Sequence, residues 1–198
     1  MKTALRFTIL VCMVGCTAKD SPRDSSTGSS TASSMRAEAR SCGDNLIRED
    51  GIGALRLGMP VDSVKAICTV AFDTVRPGPE GMSERVLKVE FPAQAVEAEI
   101  VADSVWRLNV TTPEFQTRDS IRVGTTVPEL LRHDDAQGLV GEGKLVVVFR
   151  RQCGMSFILT GGIPRGRVRN WNRDALAKLP ANTTVERILV YGCPPAKG

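Results

Sequence analysis

Three blocks of this chain recur in the same order, and that recurrence constrains the fold more than any other feature. Ala54-Leu55-Arg56-Leu57-Gly58 lies over Ser120-Ile121-Arg122-Val123-Gly124 at an offset of 66, and Val61 and Val64 then fall over Val127 and Leu130. Leu87-Lys88-Val89-Glu90-Phe91 lies over Leu145-Val146-Val147-Val148-Phe149 at an offset of 58, continuing to Gln94 over Gln152 and Ile100 over Ile158. Val105-Trp106-Arg107-Leu108-Asn109-Val110 lies over Val185-Glu186-Arg187-Ile188-Leu189-Val190 at an offset of 80. Single Val or Leu matches are easily accidental. An ordered recurrence of Arg-x-Gly, x-Val-x-Phe and Val-x-Arg is not. The body of the chain therefore reads as one unit present twice, over residues 42–113 and 114–198.

Each unit can be built from local rules. A short extended segment ends at Gly58 or Gly124, where glycine permits a positive φ. A short helix follows. Pro60 opens the first, with Val61, Val64, Ile67 and Cys68 on one face. In the second, Thr126-Val127-Pro128-Glu129 has capping-box spacing with proline in the first turn, and Val127, Leu130 and Leu131 form the stripe. Alternation then marks strands at 87–91, 96–100 and 105–111, echoed at 144–150, 153–160 and 183–191, with 70–76 and about 137–140 adding one each. The expectation is an α+β protein of two tandem repeats, each a short helix packed on an antiparallel β-meander of three to four strands.

The N-terminus reads as an address. Lys2 and Arg6 precede an apolar run from Phe7 to Gly15, too short to cross a bilayer core of roughly 30 Å but suited to a secretory signal peptide. Met13-Val14-Gly15-Cys16 resembles the lipobox of bacterial lipoproteins, with Met13 where leucine is usual. That resemblance implies that residues 1–16 are a lipoprotein signal peptide and that Cys16 carries palmitate and related acyl chains. Thr17, rather than aspartate, implies sorting to the outer membrane, facing the periplasm. Residues 17–41, rich in Ser, Thr and Ala without apolar periodicity, read as a flexible tether. A coil of that length spans on the order of 25–30 Å.

Cys42, Cys68, Cys153 and Cys193 follow. An even count in an exported chain implies disulfides. Three pairings are open by sequence alone, and the expected topology favours Cys42–Cys68 and Cys153–Cys193, the latter because Cys153 opens one strand and Cys193 follows the end of its antiparallel neighbour. No CxxC pair marks a metal site.

The block Leu55-Arg56-Leu57-Gly58-Met59-Pro60 with Val64, and its echo Ile121-Arg122-Val123-Gly124-Thr125 with Leu130, resembles the opening of small BamE/SmpA-type envelope lipoproteins. In doubled form it is similar to secreted β-lactamase inhibitor proteins. The resemblance covers about residues 42–193. It implies a binding or assembly role rather than catalysis, and no functional residue is carried over from it.

Chemistry is sparsely marked. The single histidine, His133, stands at the expected end of the second helix, where a cation suits the helix dipole. Nucleophile and phosphate-loop motifs are missing, Ser63 and Lys65 point to different helix faces, and Asp134-Asp135 are adjacent and solvated. The sequons at Asn109 and Asn182 matter only in a eukaryotic secretory route. A formal net charge of +4, or +2 without residues 1–16, argues against a nucleic-acid partner.

Residues 161–180 are the exception. The offset grows from 66 at the helix to 80 at the last strand, so the second unit is 14 residues longer there. The insert carries Arg165, Arg167, Arg169, Trp171 and Arg173, after Arg150 and Arg151. Arginine forks with a tryptophan anchor suit an acidic protein patch or anionic lipid headgroups. The same residues also read as a solvated loop leading into a short helix capped by Asn172, with Ala175, Leu176 and Leu179 and an inward Trp171. The expected function is a lipid-anchored, non-enzymatic binding or assembly module without cofactor or metal. An inhibitor or sequestering protein for an exported enzyme or small ligand, and a hydrolase with an unrecognised carboxylate site, are the alternatives.

Overall fold

Strand-forming alternation governs most of the chain. The computed structural model describes residues 41–78, 81–141, 143–163 and 170–194. In chain order the elements are β1 (Leu46–Arg48), β2 (Gly51–Ile52), β3 (Leu55–Arg56), α1 (Val61–Ile67), β4 (Val70–Pro77), β5 (Ser83–Glu90), β6 (Ala95–Val101) and β7 (Ser104–Val110). There follow β8 (Gln116–Thr117), α2 (Val127–Leu130), β9 (Ala136–Gly141), β10 (Lys144–Phe149), β11 (Met155–Leu159), α3 (Arg173–Leu176) and β12 (Val185–Val190). One sheet is eight-stranded and antiparallel, in the order β4-β5-β6-β7-β12-β11-β10-β9; a second is small, in the order β3-β2-β1-β8. Among the described residues no helix is long and apolar enough to cross a membrane.

This corrects the expected fold class. The protein is mainly β, not an α+β tandem of helix-on-meander repeats. Among the described residues the helices have only 7, 4 and 4 residues. Nor do the strands form two separate sheets: the runs β4–β7 and β9–β12 join at β7–β12. Leu108, Asn109 and Val110 on β7 and Ile188, Leu189 and Val190 on β12 are all buried, and the two strands pair at Val110↔Ile188, Asn109↔Leu189 and Leu108↔Val190. Strands buried at successive positions form the interior of a sheet rather than its edge, so eight strands run on as one. Leu55–Arg56, within the extended segment expected before Gly58, and the segments 46–52 and 116–117, to which no element was assigned, build the second sheet.

The recurring blocks nonetheless hold corresponding places. Gly58 N–H donates to Val105 O (2.7 Å) and Gly124 N–H to Val185 O (2.8 Å). Val105 N–H and Val185 N–H return to Met59 O (2.9 Å) and Thr125 O (2.8 Å). Val61 N–H donates to Asp103 O (3.0 Å) and Val127 N–H to Thr183 O (3.2 Å). Each pair repeats the 66 and 80 offsets. Both glycines have positive φ, 75° and 91°.

One face of the large sheet carries the main core. Leu87, Val89, Ala98, Leu108, Ile188, Phe157, Leu145 and Val147 point into it. They are met by Ile47, Ile52 and Leu55 of the small sheet, Val61 and Val64 of α1, Leu130 of α2 and Leu176 of α3. Phe91 meets Phe115 edge-on at 5.2 Å, and Phe149 meets Phe157 at 5.3 Å. Cys42–Cys68 and Cys153–Cys193 are both disulfide-bonded, the pairing that the meander favoured.

Candidate functional site

The other face of the large sheet follows from the strand period of two: residues between the core positions point to it. On β10, β11 and β12 these are Val146, Val148, Ile158 and Leu189, which form a second apolar cluster. Its members come from these three strands alone; among the described residues no helix and no strand of the small sheet contributes to it. Val146 pairs with Ile158 across β10–β11, and Leu139 of edge strand β9, 53% exposed, lies opposite Val146 and extends the patch.

On β4–β7 the same face is charged. Arg76 bonds Glu84 (3.0 Å) and Glu97 (3.1 Å), Arg107 bonds Glu99 (2.7 Å), and Lys88 lies over the Phe72 ring at 5.7 Å. Glu99 is buried. Burial pushes its carboxyl up, the Arg107 guanidinium pulls the other way, and the neighbouring Glu84 carboxyl adds to the rise. Trp106 is the extra residue of an irregularity between β6 and β7, and it is 59% exposed.

The apolar and charged halves meet at the β7–β12 seam. There Asn109 is 6% exposed, and its Oδ1 has no hydrogen-bond partner. Arg187, one strand over and opposite Ile158, has a buried Nε that is likewise unpartnered. Buried polar atoms without partners are rare. Ser156 Oγ and Tyr191 OH bond each other nearby at 3.1 Å.

The residues singled out in the sequence are not brought to this face. Arg165, Arg167 and Arg169 lie outside the described residues, as does Cys16. Trp171 is 7% exposed and packs into the main core; its carbonyl accepts the Gly138 N–H at 2.7 Å along the β9 edge. The Arg173 guanidinium donates to the carbonyls of Leu131 (2.6 Å) and His133, closing the end of α2. Its bonded contacts are with this chain's own backbone. The Asn172 side chain caps α3 through Ala175 N–H. His133 sits just past α2 and meets Phe149 edge-on at 5.3 Å.

Surface recesses lie elsewhere among the described residues. One of about 520 Å³ is lined by Asp134, Asp135, Arg150 and Arg173; another of about 440 Å³ by Arg48, Glu49, Arg118, Asp119, Arg151 and Gln152. The sheet face was missed because each of its charges, read singly, is an ordinary outward strand residue. The usable sign was the unbroken apolar runs Leu145–Phe149, Phe157–Leu159 and Ile188–Val190, which indicate apolar residues on both faces of a strand.

No protein-family model and no curated protein matches this chain. Among solved structures the chain is similar to the uncharacterized protein yfeY from Escherichia coli, with a TM-score of 0.52 and 15% sequence identity. The match covers 73% of this chain and 98% of that one, and what it shows is a shared fold.

Proposed function

We propose that this protein is a non-enzymatic binding or assembly module of the bacterial envelope, anchored through lipid on Cys16 and facing the periplasm. In this reading it engages another envelope protein through the second face of its large sheet. The observation that carries the reading is the exposed Leu139 of edge strand β9, set beside the apolar cluster of Val146, Ile158 and Leu189, whose members are themselves buried. An exposed apolar residue on an edge strand, continuous with an apolar sheet face and with an ion-paired half beyond it, suits a partner that adds apolar contact at the strand edge. The lipobox-like Met13-Val14-Gly15-Cys16 and the Ser/Thr-rich residues 17–41 support tethering, and two disulfides suit an oxidising compartment. The resemblance to small envelope lipoproteins points the same way.

The test is photo-crosslinking in intact cells. A photoreactive residue at Leu139, beside the patch, is expected to yield a discrete adduct with one envelope protein. The same residue at Ser63, on α1, is expected to yield none. Adducts that are equal from both positions, or absent at Leu139, would remove the sheet face from the proposal. Cys16→Ala is expected to abolish palmitate labelling and to release the protein from membranes.

A further inference from the structure

The two disulfides differ in their surroundings. Cys42 and Cys68 are 0% and 2% exposed, whereas Cys153 and Cys193 are both exposed. A third group faces the exposed pair. Glu49, at the tip of the β1–β2 hairpin, brings its Oε2 to 3.6 Å from Cys193 Sγ and 4.0 Å from Cys153 Sγ, across 144 and 104 residues of sequence. A disulfide sulfur has no proton to donate, so this approach gives the carboxylate no hydrogen bond in the oxidised protein. The hairpin holds it there regardless, through Arg48↔Gly51 pairing and the Leu57 N–H on Asp50 O (2.9 Å).

The spacing matches a coordination polyhedron. Tetrahedral zinc, with Zn–S of about 2.3 Å and Zn–O of about 2.0–2.2 Å, requires sulfur–oxygen edges of about 3.5–3.7 Å. Both observed separations lie within a few tenths of an ångström of that range. Only the sulfur–sulfur separation has to open, and cleavage of the disulfide allows it. The backbone keeps the two cysteines together without the S–S bond. Tyr191 N–H and Gly192 N–H both donate to Gly154 O, at 2.8 and 3.3 Å, and Met155 pairs with Val190.

We propose that Cys153, Cys193 and Glu49 form a redox-gated site for Zn²⁺ or a similarly thiophilic divalent ion, with a fourth position open to water. An external protein dithiol passes two electrons and two protons to the disulfide and is itself oxidised to a disulfide. The ion then binds both sulfurs as thiolates and releases the two thiol protons to solvent. Thiolate ligands select against Mg²⁺ and Ca²⁺. This site is independent of the sheet face.

The test uses the full chain, reduced under native conditions with a phosphine, with alkylation mapped to Cys153 and Cys193. Titration with Co²⁺ is expected to give one equivalent bound with sulfur-to-cobalt charge-transfer absorption, displaced by Zn²⁺. The oxidised chain and the Cys153→Ser/Cys193→Ser variant are expected to lack that absorption. Glu49→Gln is expected to weaken binding by about tenfold or more. Absence of the absorption in the reduced chain, its survival in the double variant, equal affinity in Glu49→Gln, or loss of the sheet's circular dichroism on reduction would each overturn the proposal.

Discussion

Replacing Gly154 by alanine separates two reasons for a glycine, conformation and closeness. Gly154 and Gly124 both have positive φ, 78° and 91°. An L-residue in that region costs about 1–2 kcal/mol, partly offset by about 0.4–1 kcal/mol from a less flexible unfolded chain. Gly124→Ala should therefore cost about 1 kcal/mol, because a Cβ there meets nothing within 4 Å. A Cβ on Gly154 would lie 2.6 Å from the Gly192 carbonyl carbon and 2.8 Å from Cys193 N. Both are backbone atoms, and no side chain can swing away to relieve them. Overpacking of this kind adds about 1–3 kcal/mol, so Gly154→Ala should cost about 2–4 kcal/mol. With an m-value of about 2 kcal/mol/M in urea, the midpoint should fall by about 1–2 M for Gly154→Ala and about 0.5 M for Gly124→Ala. Fluorescence of Trp171, buried in the core, reports the transition in the oxidised protein. Equal midpoints for the two variants would refute the claim that backbone proximity demands the glycine.

The pH dependence of stability should have two opposed components. The Arg85 guanidinium, with Lys65 beside it, holds the Asp73 carboxyl well below the usual carboxylate range. Its folded pKa is below the unfolded value of about 3.9, so its contribution is present above about pH 4 and lost as pH falls further. At a partly exposed site Asp73→Asn should lower neutral-pH stability by about 1 kcal/mol or less, with the gap to wild type closing in acid. A gap that is as wide at pH 2.5 as at pH 7 contradicts the pairing. Glu99 is shifted the other way by burial, so the folded protein holds the proton longer than the unfolded chain, and stability falls as pH rises through that raised value. Glu99→Gln should flatten this descent in urea midpoints measured from pH 4 to 8; an unchanged slope would show that Glu99 is not the group responsible.

How much could be read without coordinates differs from element to element. Strands β5, β6, β7, β10 and β12 fall close to where alternation put them, because a half-buried strand records its inner face in every second residue. The positive φ at Gly58 and Gly124 and the Thr126–Glu129 capping box are likewise local. The small sheet was illegible: β2, β3 and β8 have two residues each, too few to show a period. Glu99 and Asn109 are ordinary outward residues in a strand pattern, and only the neighbours supplied by β5 and β12 bury them.

By itself the sequence determined which residues alternate, where the turns fall, that three blocks recur in the same order, and which cysteine pairing a meander favours. Those properties arise from neighbours a few residues apart, or from registers that short hairpins enforce. The tertiary structure alone decided that β7 and β12 join the strands into one sheet, that the Arg173 guanidinium closes the end of α2, and that Glu49 stands over Cys153 and Cys193. Each of these depends on contacts between distant segments, whose free energy is set by what packs where once the chain has closed on itself.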